Sequence, residues 1–169
     1  MRNRALKWQF CLIVGVFLAW SQVAFADIYL AFSPYEEIEP IWIEMIDKAQ
    51  TDIKISAFGF TNKNIGEALI RAHNRGVDVL ICNDKRSSAS KHDLGGLFRN
   101  AGIEVVIKKT TALNHNKLMV VDGEDAILGS WNLSGNAQKQ DNSVVVFDDE
   151  PDYALEIDEA IQRIYERDK

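Results

Sequence analysis

Short apolar stretches alternate with amphipathic helical segments along the first two thirds of residues 27–169. That alternation, more than any other feature, limits the folds open to the chain. Asp27 to Phe32 reads as a strand. Ile38, Ile41, Trp42, Met45, Ile46 and Ala49 then recur at helical spacing, which gives that segment one apolar face. Pro40 belongs in the first turn of this helix, because an interior proline loses a hydrogen bond and clashes with the preceding turn. Ile53 to Phe58 is the next strand. Ile65, Ala68, Leu69 and Ala72 mark a second helix, stopped by Gly76. Val77 to Cys82, Leu94 to Ala101 and Ile103 to Ile107 read as strand, helix and strand. The pattern then changes. Lys117 to Val121 and Ala126 to Leu128 flank Asp122-Gly123, a pair that tolerates positive φ and so marks a hairpin. Val144 to Phe147 is a further strand, and Ala154, Ile157, Ile161, Ile164 and Tyr165 give a closing amphipathic helix. Strand–helix repetition followed by a hairpin predicts an α/β fold, a mixed sheet with helices on both faces, in one domain spanning 27–169.

Residues 1–26 stand apart from this pattern. Arg2, Arg4 and Lys7 precede an apolar run from Phe10 to Trp20, and the segment closes on Ala24-Phe25-Ala26, a small-x-small site suited to signal peptidase. An uncleaved anchor is the competing reading, since Trp8 to Ala26 approaches the roughly 20 residues that cross a bilayer. Either reading places the remainder outside the cytoplasm. This segment carries three of the 19 basic residues and no carboxylate, so residues 27–169 hold 16 basic against 25 acidic residues, a net charge of −9. Overall charge therefore does not hold this protein on a polyanion, and any nucleic-acid or anionic-lipid contact needs a local basic patch. Cys82 is the only cysteine after residue 26, which excludes an internal disulfide there and offers no cysteine cluster for zinc. The serine-rich stretch Asp84 to Lys91, with Lys85, Arg86 and Lys91, reads either as a solvated loop or as one that touches substrate.

Chemistry concentrates in His115-Asn116-Lys117 and in Gly129-Ser130-Trp131-Asn132. Residues two apart on a strand point the same way, so His115 and Lys117 share one face while Leu118 and Val120 face the other. Ser130 and Asn132 share a face if extended, and the hairpin lays the two segments side by side. An imidazole, an ammonium, a hydroxyl and an amide are thus expected in one pocket, where they can neutralise and orient a phosphate. An imidazole with an ordinary pKa of about 6.5 is substantially neutral at pH 7 and can serve as nucleophile or base. A carboxylate on its second nitrogen would fix the tautomer, and Asp122 and Asp141 are the two candidates. Each of these residues alone has an ordinary structural role; their convergence indicates an anion site.

The pattern His115-x-Lys117-x4-Asp122, followed by Gly129-Ser130-x-Asn132, resembles the HxKxxxxD signature of the phospholipase D superfamily. The similarity includes the Phe32-Ser33-Pro34 opening and the Arg75-Gly76-Val77-Asp78-Val79 stretch, and is strongest to the small bacterial endonucleases of that superfamily. The resemblance implies phosphodiester hydrolysis without metal or cofactor, with His115 attacking phosphorus and a second histidine protonating the leaving oxygen. It also implies that His115, Lys117, Asp122, Ser130, Asn132 and Asp141 form the catalytic set. His73 and His92 lack Lys and Asp companions and read as surface residues. Similarity to the single-motif members of the superfamily implies that the second histidine is His115 of a partner chain, in a homodimer with a shared active site. Relatives carry a glutamate-asparagine pair downstream of the serine and asparagine; here it is Asp141-Asn142 after a shorter loop, with one methylene less reach. Nucleic acid is the expected substrate, held along Lys85, Arg86, Lys91, Lys108 and Lys109, and phospholipid is the alternative. The expected location is the periplasm, free or anchored at the inner membrane.

Overall fold

A computed structural model describes residues 27–169; the signal or anchor read at residues 1–26 lies outside the described residues. Seven strands form one sheet: β1 (Asp27–Ser33), β2 (Asp52–Ala57), β3 (Asp78–Asn83), β4 (Glu104–Ile107), β5 (Lys117–Val121), β6 (Asp125–Gly129) and β7 (Asn142–Asp148). Their order across the sheet is β1-β7-β6-β5-β2-β3-β4. The half containing β1, β7, β6 and β5 is antiparallel, β5 also pairs antiparallel with β2, and β2, β3 and β4 run parallel. The mixed sheet expected from sequence is thus present, with its change of direction at β5 and β2.

The helices divide between the two faces. On one side, α1 (Ile38–Lys48) and α2 (Lys63–Asn74) bury Trp42, Ile46, Ile65 and Leu69 against Ile53, Ile55, Met119 and Ile127. On the other, Ala154, Ile157 and Ile161 of the last helix, α5 (Pro151–Asp168), pack on Val120, Ala126 and Phe147. Each fully buried isoleucine of this kind contributes roughly 1.5–3 kcal/mol. The period-2 alternation of β5 separates its two sets: Met119 and Val121 face α1 and α2, while Leu118 and Val120 face α5. Pro40 lies in the first turn of α1, as its missing N–H requires.

The structure departs from the expectation in two local elements. The serine-rich stretch is not wholly a loop, since α3 (Lys85–Ser88) forms one helical turn capped by Asp84, whose carboxylate accepts the Arg86 N–H at 2.8 Å. The next helix, α4 (Gly95–Asn100), is shorter than Leu94 to Ala101 because these two residues flank it. No helix among the described residues is long and apolar enough to cross a membrane.

Candidate active site

One edge of the sheet gathers the ends of all seven strands that matter for chemistry. Strand pairing places Ser33 beside Asn142, Gly129 beside Val144, and Lys117 beside Ala57; Ala57 in turn lies beside Asn83, and Asn83 beside Ile107. The carboxyl ends of parallel β2, β3 and β4 therefore meet the start of β5 here, and crevices at such ends are where α/β sheets bind ligands.

The segment before β5 is held by a buried polar network. Asn114 is 2% exposed; its backbone N–H donates to Asp84 Oδ2 at 2.8 Å, and its side-chain amide donates to the carbonyls of Ala57 (3.3 Å) and Cys82 (3.2 Å). The Ser56 hydroxyl lies 3.1 Å from the same amide nitrogen. Asp84 is itself buried at 3% exposure and also caps α3, so one carboxylate ties the loop that carries the histidine to the turn that carries Arg86. Removing either partner would leave a buried polar group unpaired, which costs about 1–3 kcal/mol. Neither residue stood out in the sequence, although an asparagine one position before the histidine was the available signal.

His115 emerges exposed from this anchored loop, with its ring 5.6 Å from that of Phe58 and inclined by 53°. It lines an open cleft of about 480 Å³ together with Phe58, Thr61, Arg86, Ser90 and Asn132. Lys117 is nearly buried, and its ammonium turns back beneath the histidine to donate to the His115 carbonyl at 2.7 Å. Burial pushes the Lys117 pKa down from the usual lysine range. Among the described residues no carboxylate lies within ion-pair distance of this ammonium, so its charge stands uncompensated behind the nucleophile candidate.

Of the four polar groups expected in one pocket, three line two neighbouring clefts and the fourth, Lys117, is buried outside both linings. Asn132 shares the His115 cleft, but Ser130 and Asp141 line a neighbouring cleft of about 320 Å³ with Phe32 and Tyr35. The Ser130 hydroxyl donates to Asn142 Oδ1 (3.1 Å) and accepts the Ser143 N–H (3.1 Å), which joins the end of β6 to the start of β7. Gly129 is required for that junction, because a Cβ there would sit 2.2 Å from the Ser143 carbonyl oxygen. Asp122 is also displaced from the expected set. It caps the far end of β5, where its carboxylate accepts the N–H groups of Gln50 (2.8 Å), Thr51 (2.8 Å) and Asp52 (3.0 Å) and the Thr51 hydroxyl (2.9 Å). Of the two carboxylates proposed to orient His115, Asp122 is thereby excluded by position, and Asp141 makes no hydrogen bond to His115 among the described residues.

The basic residues also separate. Arg86 lines the His115 cleft; Lys85 and Lys109 line an adjoining one of about 200 Å³ that Arg86 also borders. Lys91 lies on the other flank. Lys108, expected to face substrate, is only 6% exposed, because it continues the inward face of Val106 beyond β4. Lys109 has its ammonium 2.6 Å from the Lys169 carbonyl. His73 is half-buried, with Nδ1 shielded and without a partner in the described residues, whereas His92 is exposed as expected. Among the described residues no group of three or more His, Cys, Asp or Glu side chains is placed to hold a metal ion.

A family profile described as a cardiolipin synthase, PLD-like domain, matches residues 42–165. The chain belongs to the phospholipase D superfamily. It is 32% identical over 130 residues to a phospholipase D of Rickettsia bellii, and 30% identical over 131 residues to that of Rickettsia conorii. These alignments cover 76% and 77% of this chain and just under two thirds, 65% and 66%, of the relatives. A mitochondrial cardiolipin hydrolase of Danio rerio is 27% identical over 73% of this chain and 55% of its own. Among solved structures, the phospholipase D family member Nuc from Salmonella typhimurium superposes with a TM-score of 0.80 at 27% identity, covering 86% of this chain and 97% of Nuc. NucT from Helicobacter pylori, at 23% identity and a TM-score of 0.76 over 84% of this chain and 97% of its own, shares the fold. Within this superfamily the motif is HxKxxxxD, and the geometry gives its three residues different tasks here. His115 faces the cleft, Lys117 lies beneath it, and Asp122 holds the hairpin at the other end of the strand.

Proposed function

We propose that this protein is a phosphodiester hydrolase in which His115 is the nucleophile, and that its substrate is nucleic acid. The observation that carries this reading is the exposed His115 imidazole in an open cleft, with Arg86 and Asn132 on the walls and the buried Lys117 charge behind it. His115 attacks phosphorus, the bond to the leaving oxygen breaks, and that oxygen takes a proton from a second imidazole. Water, deprotonated by the same imidazole, then displaces His115 from the phosphohistidine. Arg86 and Asn132 supply donors for the phosphate oxygens, and Lys117 supplies positive potential.

The second imidazole comes from His115 of a second copy, in a homodimer. His92 opens onto a different cleft and His73 is half-buried, so neither supplies it within the chain. The uncovered apolar side chains Ile28, Leu30 and Phe32 along edge strand β1 support such an association, which sedimentation at several concentrations tests. The N-terminal sequence supports a location outside the cytoplasm. A second reading, hydrolysis of phospholipid headgroups, is favoured by the names of the Rickettsia and Danio rerio relatives.

The deciding experiment incubates the purified protein in EDTA with single-stranded DNA, duplex DNA, RNA and phospholipid vesicles, beside His115→Ala. The expected outcome is nucleic-acid cleavage that the variant loses by at least about a thousandfold, with its thermal unfolding unchanged. Headgroup release with intact nucleic acid would replace this reading with the second. Activity that EDTA removes and a divalent metal restores would overturn the mechanism.

A further inference from the structure

The His115 cleft does not end at its own walls. Thr61 and Ser90 line it and also line a second cleft of about 560 Å³, which Lys63, Lys91 and His92 border. On the opposite flank Arg86 is shared with the cleft bordered by Lys85, Lys109 and Thr110. Three depressions are therefore contiguous, with the nucleophile candidate in the middle and cationic side chains in both outer parts.

The acidic residue of the largest of these three depressions, Asp93, is engaged by neutral donors and forms no ion pair with the lysines there among the described residues. Asp93 turns inward: its Oδ2 accepts the Asn83 amide (3.0 Å) and the Phe60 N–H (3.3 Å), and its Oδ1 accepts the Gly95 N–H (2.9 Å). Those bonds fix the floor of the cleft. Lys63 and Lys91 remain exposed, and neither forms an ion pair among the described residues. This positive flank is conspicuous on a domain with a net charge of −9.

A single phosphodiester with a small headgroup fills a pocket of a few hundred Å³, roughly the size of the central cleft alone. A substrate of that kind leaves Lys63 and Lys91 idle. A chain of regularly spaced phosphates uses all three parts, as single-strand binding proteins do when a basic groove follows the backbone. We propose that the three clefts form one groove for a single nucleic-acid strand, in which Lys63 and Lys91 hold backbone phosphates to one side of the phosphate at His115. This rests on the nuclease reading for its central site, but assigns a separate subsite and makes substrate length, rather than base identity, the property that the groove reads.

Binding tests the groove independently of turnover. Fluorescein-labelled oligothymidylates of three and twelve nucleotides are titrated into His115→Ala protein, with and without Lys63→Gln/Lys91→Gln, between low and moderate salt. Both lysines are exposed, so the substitutions leave the core untouched. The expected result is tighter binding of the longer strand, a preference that falls about tenfold in the double substitution. The salt dependence should become shallower by roughly 0.7 for each lost phosphate contact on a single strand. Equal affinity for the two lengths, or a length preference and salt slope unchanged by the double substitution, overturns the subsite. Phosphatidylglycerol vesicles run in parallel; lysine-dependent binding to vesicles, with none to the oligonucleotides, overturns it in favour of a lipid surface. Length-dependent binding in a protein that cleaves no nucleic acid leaves the groove standing and removes the nuclease reading instead.

Discussion

The two ends of β5 carry the same kind of cargo, one ionisable side chain each from the signature motif, in opposite states of satisfaction. At the hairpin end Asp122 accepts three backbone N–H groups and a hydroxyl. Burial alone would push its carboxyl up, but those four donors outweigh it and hold the carboxyl below the usual aspartate range. The turn there is closed by the Glu124 N–H to the Val121 carbonyl at 3.1 Å, with Asp122 and Gly123 both at positive φ (55° and 70°). At the other end Lys117 is buried with a single carbonyl partner and no counter-charge among the described residues. One end is a finished structural joint. The other is incomplete without an anion, and that contrast separates the folding role from the chemical role within one short motif.

Replacing Lys117 by Met attacks the incomplete end and has the largest expected effect on this comparison. Loss of a pre-organised charge that raises the positive potential at the reacting phosphate costs roughly 3–4 kcal/mol, or two to three decades in kcat. Stability should hold or rise, because a buried unpaired charge is a net cost to folding. The pH dependence has a definite sign. With its folded pKa below the unfolded value, Lys117 imposes its full cost at pH below the folded pKa. That cost is relieved as pH climbs from the folded to the unfolded value. Activity should therefore decline with rising pH before the ordinary lysine range is reached, while this residue's drag on stability lessens over the same window. Denaturant midpoints and rates across alkaline pH check both halves. A Met variant that loses stability and keeps its turnover would erase the distinction between the two ends.

Asp122→Ala attacks the finished end. Three backbone donors and a hydroxyl lose their acceptor together, and about 2–3 kcal/mol of stability should go with them. The sign runs opposite to that of Lys117: a lowered carboxyl pKa contributes stability that is present above the unfolded value and is lost as pH falls through the folded one. Urea unfolding of wild type and variant should differ at pH 7 and converge in strong acid. The folded variant should keep kcat within a few-fold. A hundredfold loss of kcat in folded protein would place Asp122 in the chemistry after all.

This division also explains what could be read from the chain. The strands and long helices were legible because their apolar positions repeat at 2 or 3.6 residues, and the Asp122-Gly123 turn because few pairs adopt positive φ so readily. Position along the motif was legible for Lys117, which does open β5, whereas His115 stands two residues before it, on the loop that Asn114 anchors. The polar groups whose role depends on burial were not legible. Asp84 and Asn114 look like loop residues until β2 and β3 end beneath them. Lys108 looks like half of a basic surface pair, although counting two residues on from the buried Val106 would have turned it inward. Ser130 and Asn132 were expected to share a face on the assumption of an extended chain. β6 stops at Gly129, yet Trp131 and Leu133 beyond it are buried while Ser130 is exposed and Asn132 half-buried, so the alternation continues; the sequence did not show that the two polar side chains line different clefts.

The smallest expected effect is also the finest test of how the site is divided. Ser130 belongs to the neighbouring cleft, and its hydroxyl joins β6 to β7 through Asn142 and the Ser143 N–H in an exposed setting. Ser130→Ala should cost only about 1 kcal/mol of stability, the ordinary worth of such a bond. It should leave kcat within about threefold, because no transition-state contact is removed. Asn132→Ala removes a wall of the His115 cleft, and its loss should appear in kcat, about tenfold or more, with little change in unfolding. Kinetics of the two variants on one oligonucleotide decide between a single reacting cleft and a pair. Equal losses in kcat would mean that the substrate bridges both clefts and draws Ser130 into the reaction. Unequal losses, in the order given, would mean that the hydroxyl's work is finished when the two strand ends are joined.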